Sequence, residues 1–277
     1  TAHVPPVVSG SRSLGRHGNR LAARTLLAAT DGTFRPAVAA LRRELGLPRR
    51  RSAGGPAAML RARTVLHGYS PHVVPRPPDW PDGHRVCGYW WPAPPPGWAP
   101  DQRLVDFLAA GPPPVFVGFG SMVADDAAAL SALVTDALRR AGVRGIVQAG
   151  WSGLAARDGD DVLSVSDVPH AWLFPQTAAV VHHAGGGTSA AGLRAGVPAV
   201  PVPVLLDQRF WAARLAALGA ATAPVPYRRL TADRLAAAIR TTTTNPSHRA
   251  AARALAARLA EEDGCTPVLA ALDRLGR

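Results

Sequence analysis

One stretch, from Ala178 to Trp211, constrains the fold of this chain more than any other. It begins with a short, valine-rich apolar run that ends at His182, which is typical of a strand buried on both faces. His183 follows, and after Ala184 come three consecutive glycines, Gly185 to Gly187. We therefore predict a strand that runs into a tight glycine turn.

A helix should follow the glycine turn. Thr188 and Ser189 are good N-cap residues, and the segment from Ala190 to Ala195 has the composition of a helix. A helix N-terminus carries unpaired N–H groups and a partial positive charge, and glycines in front of it let a ligand approach the backbone. This combination binds phosphate, but the same turn also occurs without any ligand, so three glycines alone leave both interpretations open.

The second half of the chain alternates between apolar runs of strand length and amphipathic segments of helix length. This alternation predicts an α/β fold with a parallel sheet and helices on both of its faces. Ligands of such sheets bind at the carboxyl ends of the strands. We expect four loops to face one crevice, namely those after Phe119, Val165, His182 and Val204.

The first hundred residues are organised differently. Apolar spacing predicts two helices, Leu14 to Ala29 and Thr33 to Leu45, and short strands are expected over 64–67 and 85–90. The proline-rich stretch 92–100 has the composition of a stiff linker. We place the domain boundary there. The domains, in order, are then 1–91, the linker 92–100, and 101–277.

Composition excludes some classes of function. The net charge is +12, and every basic residue that contributes to it is Arg. These arginines are scattered along helices rather than clustered with aromatic residues, which argues against nucleic acid, while peripheral contact with an acidic membrane surface stays open. Cys87 and Cys265 are too few and too far apart for a disulfide framework or a metal site. Without a leader or an apolar run of spanning length, a cytoplasmic protein is expected.

Several motifs together resemble one family. His183-x-Gly-Gly-Gly-Thr, followed about twenty residues later by Asp207-Gln208, is similar to the donor-site signature of UDP-glycosyltransferases with the GT-B architecture. Further matches are PRPPDWPDGHRVCGYWW, PPPVFVGFGSM, VPHAWLFPQ and LTADRLAAAI, in the order and spacing of bacterial sterol and antibiotic-aglycone glucosyltransferases. The resemblance implies a complete C-terminal Rossmann-like donor domain and a partial N-terminal acceptor domain.

The resemblance also implies roles for individual residues. The donor is a UDP-sugar, which is a substrate, so no cofactor and no metal are expected. Asp207 could simply cap a helix, His183 could be a buried core histidine, and Trp151 could be plain core. The implied contacts are, for the diphosphate, His183, Gly185, Gly186, Gly187, Thr188 and Ser121; for the sugar, Asp207 and Gln208; and for uracil, Val168 and Trp151.

Two departures from the family pattern matter. Ala184 stands where the family usually has glycine, which would cost of order 1 kcal/mol or more if this position needs a positive φ. Nothing over 1–63 resembles the family's early glycine-rich turn with its histidine base, so the catalytic base is unknown and a truncated member is expected.

The function that the resemblance implies is an inverting, metal-independent hexosyl transfer to a lipophilic, sterol- or polyketide-like hydroxyl. Non-catalytic nucleotide-sugar binding, or an epimerase of the same architecture, are the alternatives.

Overall fold

A computed structural model describes residues 1–5, 13–48, 63–93, 95–120, 122, 125–156, 159 and 161–275. The chain divides into two compact units, one formed by Thr1–Trp90 with Asp263–Arg277 and the other by Trp91–Glu262. Each unit is described by itself below. The domain boundaries predicted from the sequence, 1–91, 92–100 and 101–277, stay predictions.

The first unit contains one long helix, α1 (Gly15–Glu44), where the sequence predicted two. The expected break at Thr30 to Gly32 does not occur, so the two-helix prediction is wrong. The hydroxyls of Thr30 and Thr33 donate to carbonyls one turn earlier, at 2.9 and 3.0 Å, and Asp31 pairs with Arg35 at 2.8 Å. These local bonds let residues of low helix propensity continue the helix.

The other helix and strands described in the first unit are a short parallel strand pair and a terminal helix. Strands β1 (Val65–His67) and β2 (His84–Val86) pair in parallel, with Leu66 opposite Arg85. The last helix is Thr266–Leu275. The indole Nε1 of Trp90 donates to the Gly264 carbonyl at 3.0 Å, which ties the segment before that helix to the one after β2.

The second unit is an α/β domain. Its strands and helices alternate in the order expected, apart from an unpredicted first helix that Asp101 caps by accepting from Arg103 N. The elements are α2 (Gln102–Ala109), β3 (Val115–Gly118), α3 (Ala127–Ala141), β4 (Gly145–Gln148), β5 (Val162–Val165), α4 (His170–Leu173), β6 (Ala179–His182), α5 (Gly186–Arg194), β7 (Ala199–Pro201), α6 (Gln208–Ala217), α7 (Ala232–Thr244) and α8 (Pro246–Ala260).

The five strands β3 to β7 form one parallel sheet that is buried on both faces. Successive strand residues point to opposite sides, so Val115 and Val117 enter one core, with α3 and α7, while Phe116 enters the other, with α2 and Phe174. This two-sided burial explains why the strands read as continuous apolar runs in the sequence. The predicted α/β class with a parallel sheet is confirmed.

The order of the strands places the candidate site. The sheet reads β5-β4-β3-β6-β7, so the chain moves outward from β3 in one direction and then crosses to β6 on its other side. Gly118 of β3 lies opposite His182 of β6 in the register. The strand order therefore reverses between these two strands, and the crevice at their carboxyl ends is where such sheets bind ligands.

Candidate functional site

The glycine turn leads into α5 earlier than predicted. The helix begins at Gly186, with Gly185 as its N-cap residue, so the prediction that Thr188 and Ser189 cap the helix is wrong. Ser189 N donates to the Gly185 carbonyl at 2.9 Å, which closes the first helical turn. The preceding N–H groups, including that of Thr188, have no acceptor within a regular α-helix. They form the donor set that an anion requires, and it comes from backbone rather than from a capping side chain.

Ala184 adopts the left-handed conformation that glycine usually supplies. Its φ is 62°, and its side chain is fully buried. Its N–H donates to His182 Nδ1 at 3.1 Å, which closes the turn on the end of β6. The strain expected for alanine at this position is therefore present in this chain.

The imidazole of His183 lies between two backbone turns. A Cβ atom at Gly120, where φ is 58°, would lie only 2.8 Å from His183 Cε1, and one at Gly185 would overlap His183 Nε2. Both glycines are thus needed for this ring position. Burial lowers the pKa of His183, an effect that the charge of Asp207 opposes. His183 is therefore neutral at pH 7, and it has a ring N–H that can donate to a phosphate.

Two other histidines near His183, His182 and His170, are packed into the protein interior. His182 is fully buried, and burial lowers its pKa to about 3, with His183 and His170 acting in the same direction. His170 stacks on Phe174 with the ring centroids 4.3 Å apart. Its pKa is lowered too, mainly by burial. These two rings are neutral parts of the packing around His183.

Asp207 and Gln208 lie at the start of α6, across from His183. Asp207 occupies the N-cap position, but its side chain accepts no hydrogen bond from the helix backbone, so the helix-cap alternative is wrong. Its Oδ2 instead accepts from Trp211 Nε1 at 3.0 Å. Gln208 Oε1 accepts from Val204 N at 2.8 Å and from Leu205 N at 3.1 Å, which fixes its amide plane.

The residues implied for uracil follow β4 and β5, which lie on the opposite side of β3 from β6. Val168 is buried and follows β5, where a cavity of about 250 Å³ opens. Trp151 lies in a short 3₁₀ turn, Gly150–Ser152, after β4, and its side chain is outside the described part of the structure. Ser121 lies outside the described residues altogether. The lining of the cavity is Trp98, Ala99, Asp101, Arg103, Leu104, Leu163, Ser164, Val165, Ser166, Asp167 and Val168.

Two residues of the site escaped the sequence analysis. Gly120 entered the sequence analysis only as part of the matched segment PPPVFVGFGSM, and its contact with His183 depends on the pairing of two strands that are distant in the chain. Trp211 carried a usable signal, since residues four apart on a helix face the same side. An aromatic donor one turn after Asp207 could therefore have been identified as its partner.

Two absences apply to the described residues only. Among them, no three His, Cys, Asp or Glu side chains are grouped so that they could hold a metal ion. Nor does any helix in the described ranges combine the length and apolar character that a membrane span needs.

Comparison with known proteins identifies relatives over most of the chain. Residues 148–275 match the family described as the C-terminal domain of erythromycin biosynthesis protein CIII-like proteins. A sterol 3-beta-glucosyltransferase of Arabidopsis thaliana is 40% identical over 212 residues, 76% of this chain and 34% of that protein. An O-mycaminosyltylonolide 6-deoxyallosyltransferase of Streptomyces fradiae is 40% identical over 204 residues, 73% of this chain and 47% of that protein.

Solved structures agree on the fold. The glycosyltransferase of kitacinnamycin superposes with a TM-score of 0.59 over 90% of this chain and 67% of its own. At 18% identity, this likeness supports the fold alone. The glycosyltransferase VinC, crystallised in complex with dTDP, is 30% identical, with a TM-score of 0.50 over 61% of this chain and 43% of its own. Both likenesses fit the GT-B architecture expected from the sequence.

The chain thus spans between about a third and a half of the curated relatives just described. The match includes the glycine turn, the VPH segment and the Asp-Gln pair, all of which lie inside residues 148–275. Residues 148–275 are therefore similar to the C-terminal domain of EryCIII-like proteins, and the chain as a whole is similar to part of the sterol and macrolide glycosyltransferases, with a fold like that of GT-B glycosyltransferases.

Proposed function

We propose that this chain binds a UDP-sugar and takes part in transferring its hexosyl group to a hydroxyl of a lipophilic, sterol- or polyketide-like acceptor. The observation that carries the proposal is that the α5 N-terminus, His183 and Asp207 lie close together. They lie where the order of the strands in the sheet reverses. An anion site and a carboxylate side by side suit a diphosphate joined to a sugar.

The geometry supports the following division of roles. The N–H groups of Gly186, Gly187 and Thr188 face the diphosphate, and Gly185 allows its close approach. The neutral His183 ring donates to a phosphate oxygen. Asp207 and Gln208 bind sugar hydroxyls, since a carboxylate accepts and an amide both donates and accepts. Ser121, which follows β3 in the sequence, belongs to the diphosphate contacts in this proposal.

The nucleobase is assigned to the carboxyl ends of β4 and β5, with Val168, which lines the cavity there, and Trp151, which follows β4, as its contacts. Strands β5 and β6 are three positions apart in the sheet. At about 4.8 Å per neighbouring strand, the base and the diphosphate sites are then about 14 Å apart. An extended nucleoside diphosphate can bridge the carboxyl ends of the strands over such a span.

The proposed reaction is an inverting displacement. The acceptor oxygen forms a bond to the anomeric carbon from the face opposite UDP, and the bond from that carbon to the β-phosphate oxygen breaks. The acceptor proton passes to a base that we do not assign, and UDP leaves with added negative charge. The α5 N-terminus and His183 stabilise that charge, so the proposal invokes no metal.

Binding without transfer is the second candidate. All of the residues assigned above lie in the unit Trp91–Glu262, and that unit could hold a donor without any catalytic base. Calorimetric titration with UDP, UDP-glucose, dTDP and ADP, without added metal, tests the donor site. Binding of UDP and UDP-glucose but not ADP is expected, and a folded chain that binds none of them would overturn the proposal.

Product analysis separates the candidates once binding is established. Incubation with UDP-glucose and a sterol should yield a glucoside if the chain transfers the sugar. Binding of UDP-glucose without any glucoside would support the non-catalytic candidate, and conversion of the UDP-sugar without an acceptor would indicate an epimerase.

The proposal also includes a cytoplasmic location and peripheral contact with an acidic membrane surface. Cys87 and Cys265 are free thiols, which are usual in a reducing compartment such as the cytoplasm. Peripheral contact with an acidic membrane is supported by α1, on which Phe34 and Leu41 are exposed beside arginines such as Arg35. Co-sedimentation with anionic vesicles but not with neutral ones is the expected result.

A further inference from the structure

Trp211 connects the glycine turn to the carboxylate of Asp207. Its indole Nε1 donates to Asp207 Oδ2 at 3.0 Å, one helical turn away on α6. The same ring edge lies against the start of α5, since a Cβ atom placed on Gly186 would be 3.3 Å from Nε1 and 3.4 Å from Cε2. One side chain therefore contacts both the anion-binding turn and the carboxylate next to it.

The bond to Trp211 replaces the one that an aspartate at this position usually makes. An N-cap aspartate normally accepts from a backbone N–H of the first helical turn, which would direct its carboxylate toward the helix. Here Asp207 does not do so. The indole holds Oδ2 instead, and within the described chain no hydrogen bond engages Oδ1.

The loop before α6 contributes to the same orientation. Leu206, the residue before Asp207, has a φ of 52°, which is strained for a leucine. Gln208 Oε1 holds the loop N–H groups of Val204 and Leu205. The backbone of Asp207 is thus fixed on both sides, and the orientation of its carboxylate then depends on the indole N–H.

We propose that Trp211 is the positioning residue for sugar recognition, because it turns Asp207 Oδ1 toward the sugar hydroxyls of a donor whose diphosphate lies at Gly186. This inference rests on the function proposed above and names the group that sets the sugar contact. Tryptophan has a single polar atom, so Trp211→Phe removes the indole N–H and keeps most of the ring. Trp211→Gln keeps a donor, since glutamine and aspartate one helical turn apart form a hydrogen bond.

The test is calorimetric titration of the whole chain with UDP and with UDP-glucose. Trp211→Phe should weaken binding of UDP-glucose about tenfold, the scale expected for a lost hydrogen bond to a charged group, and should leave binding of UDP within about twofold. Trp211→Gln should restore part of the UDP-glucose affinity. In the background of Asp207→Ala, Trp211→Phe should add no further loss.

The matched control is Trp90→Phe, which removes an indole hydrogen bond of the same length, to Gly264 O, in the other compact unit. It should leave both affinities unchanged. Equal weakening of UDP and UDP-glucose by Trp211→Phe would reduce Trp211 to a structural role and overturn the inference, as would no effect on either ligand. A folded wild-type chain that binds neither ligand would instead overturn the proposed function itself, and the inference with it.

Discussion

The imidazole of His183 contacts the backbone at Gly120 so closely that a Cβ atom there would lie 2.8 Å from His183 Cε1. Gly120 also has a φ of 58°, which disfavours any side chain. Gly120→Ala should therefore displace the imidazole, lower stability by about 1 kcal/mol or more, and weaken UDP binding. Thermal unfolding and calorimetry measure the two effects.

A second glycine, Gly142, serves as a control that separates the backbone strain of the substitution from the displacement of His183. Gly142 has a φ of 68°, and nothing lies within 4 Å of a Cβ atom placed on it. Gly142→Ala should lose a similar amount of stability and keep its affinity for UDP. If the two variants bind UDP equally well, the position of His183 does not depend on Gly120.

Stability should fall in acid because His182 is buried in its neutral form. Its pKa in the folded chain is about 3, below the ordinary 6.5, so the unfolded chain binds a proton first as the pH falls. The free energy of unfolding should then decrease between pH 6.5 and about 3, with a slope of up to about 1.4 kcal/mol per pH unit from this residue. Denaturant titrations across this range measure the slope.

The variant His182→Asn tests the assignment of this slope. Its side-chain carbonyl can accept from Ala184 N as the imidazole Nδ1 does, but it does not titrate. The variant should therefore show a shallower dependence of stability on pH over the same window, whatever its stability at neutral pH. An unchanged slope would mean that other groups account for the loss in acid.

The strained alanine of the glycine turn can be relieved. Ala184 has a φ of 62°, so Ala184→Gly should raise the free energy of unfolding by about 1 kcal/mol. Ala191, inside α5, is the matched control, because glycine in a helix interior should lower stability by about 0.5–1 kcal/mol. Chemical denaturation gives both values, and a loss of stability in both variants would show that Ala184 is not strained.

The sequence was most informative where local pattern and tertiary structure agree. Valine-rich runs such as Val115 to Phe119 predicted strands because both faces of this sheet are buried, and a buried strand needs an apolar residue at every position. The family resemblance placed a glycine at position 184, and the positive φ of Ala184 shows that this position adopts the conformation that glycine favours.

The sequence was least informative where a backbone or a distant side chain decides the local structure. The start of α5 was placed too late because Thr188 is a good cap, whereas the helix uses Gly185 and leaves its first N–H groups unpaired. The prediction that Asp207 caps α6 was wrong, because its carboxylate accepts a hydrogen bond from Trp211 instead. In both cases the usual local capping hydrogen bond is absent, because the neighbours of each residue in the fold, rather than its local sequence pattern alone, decide its contacts.

Two substitutions should separate recognition of the diphosphate from recognition of the sugar. His183→Ala removes a donor beside the α5 N-terminus, so it should weaken both UDP and UDP-glucose, by about tenfold if the bond is to a charged phosphate oxygen. Asp207→Ala should weaken UDP-glucose and spare UDP, since this carboxylate contacts only the sugar in the proposed site. Titration of each variant with both ligands gives the comparison, and an equal loss of the two ligands in Asp207→Ala would remove Asp207 from sugar recognition.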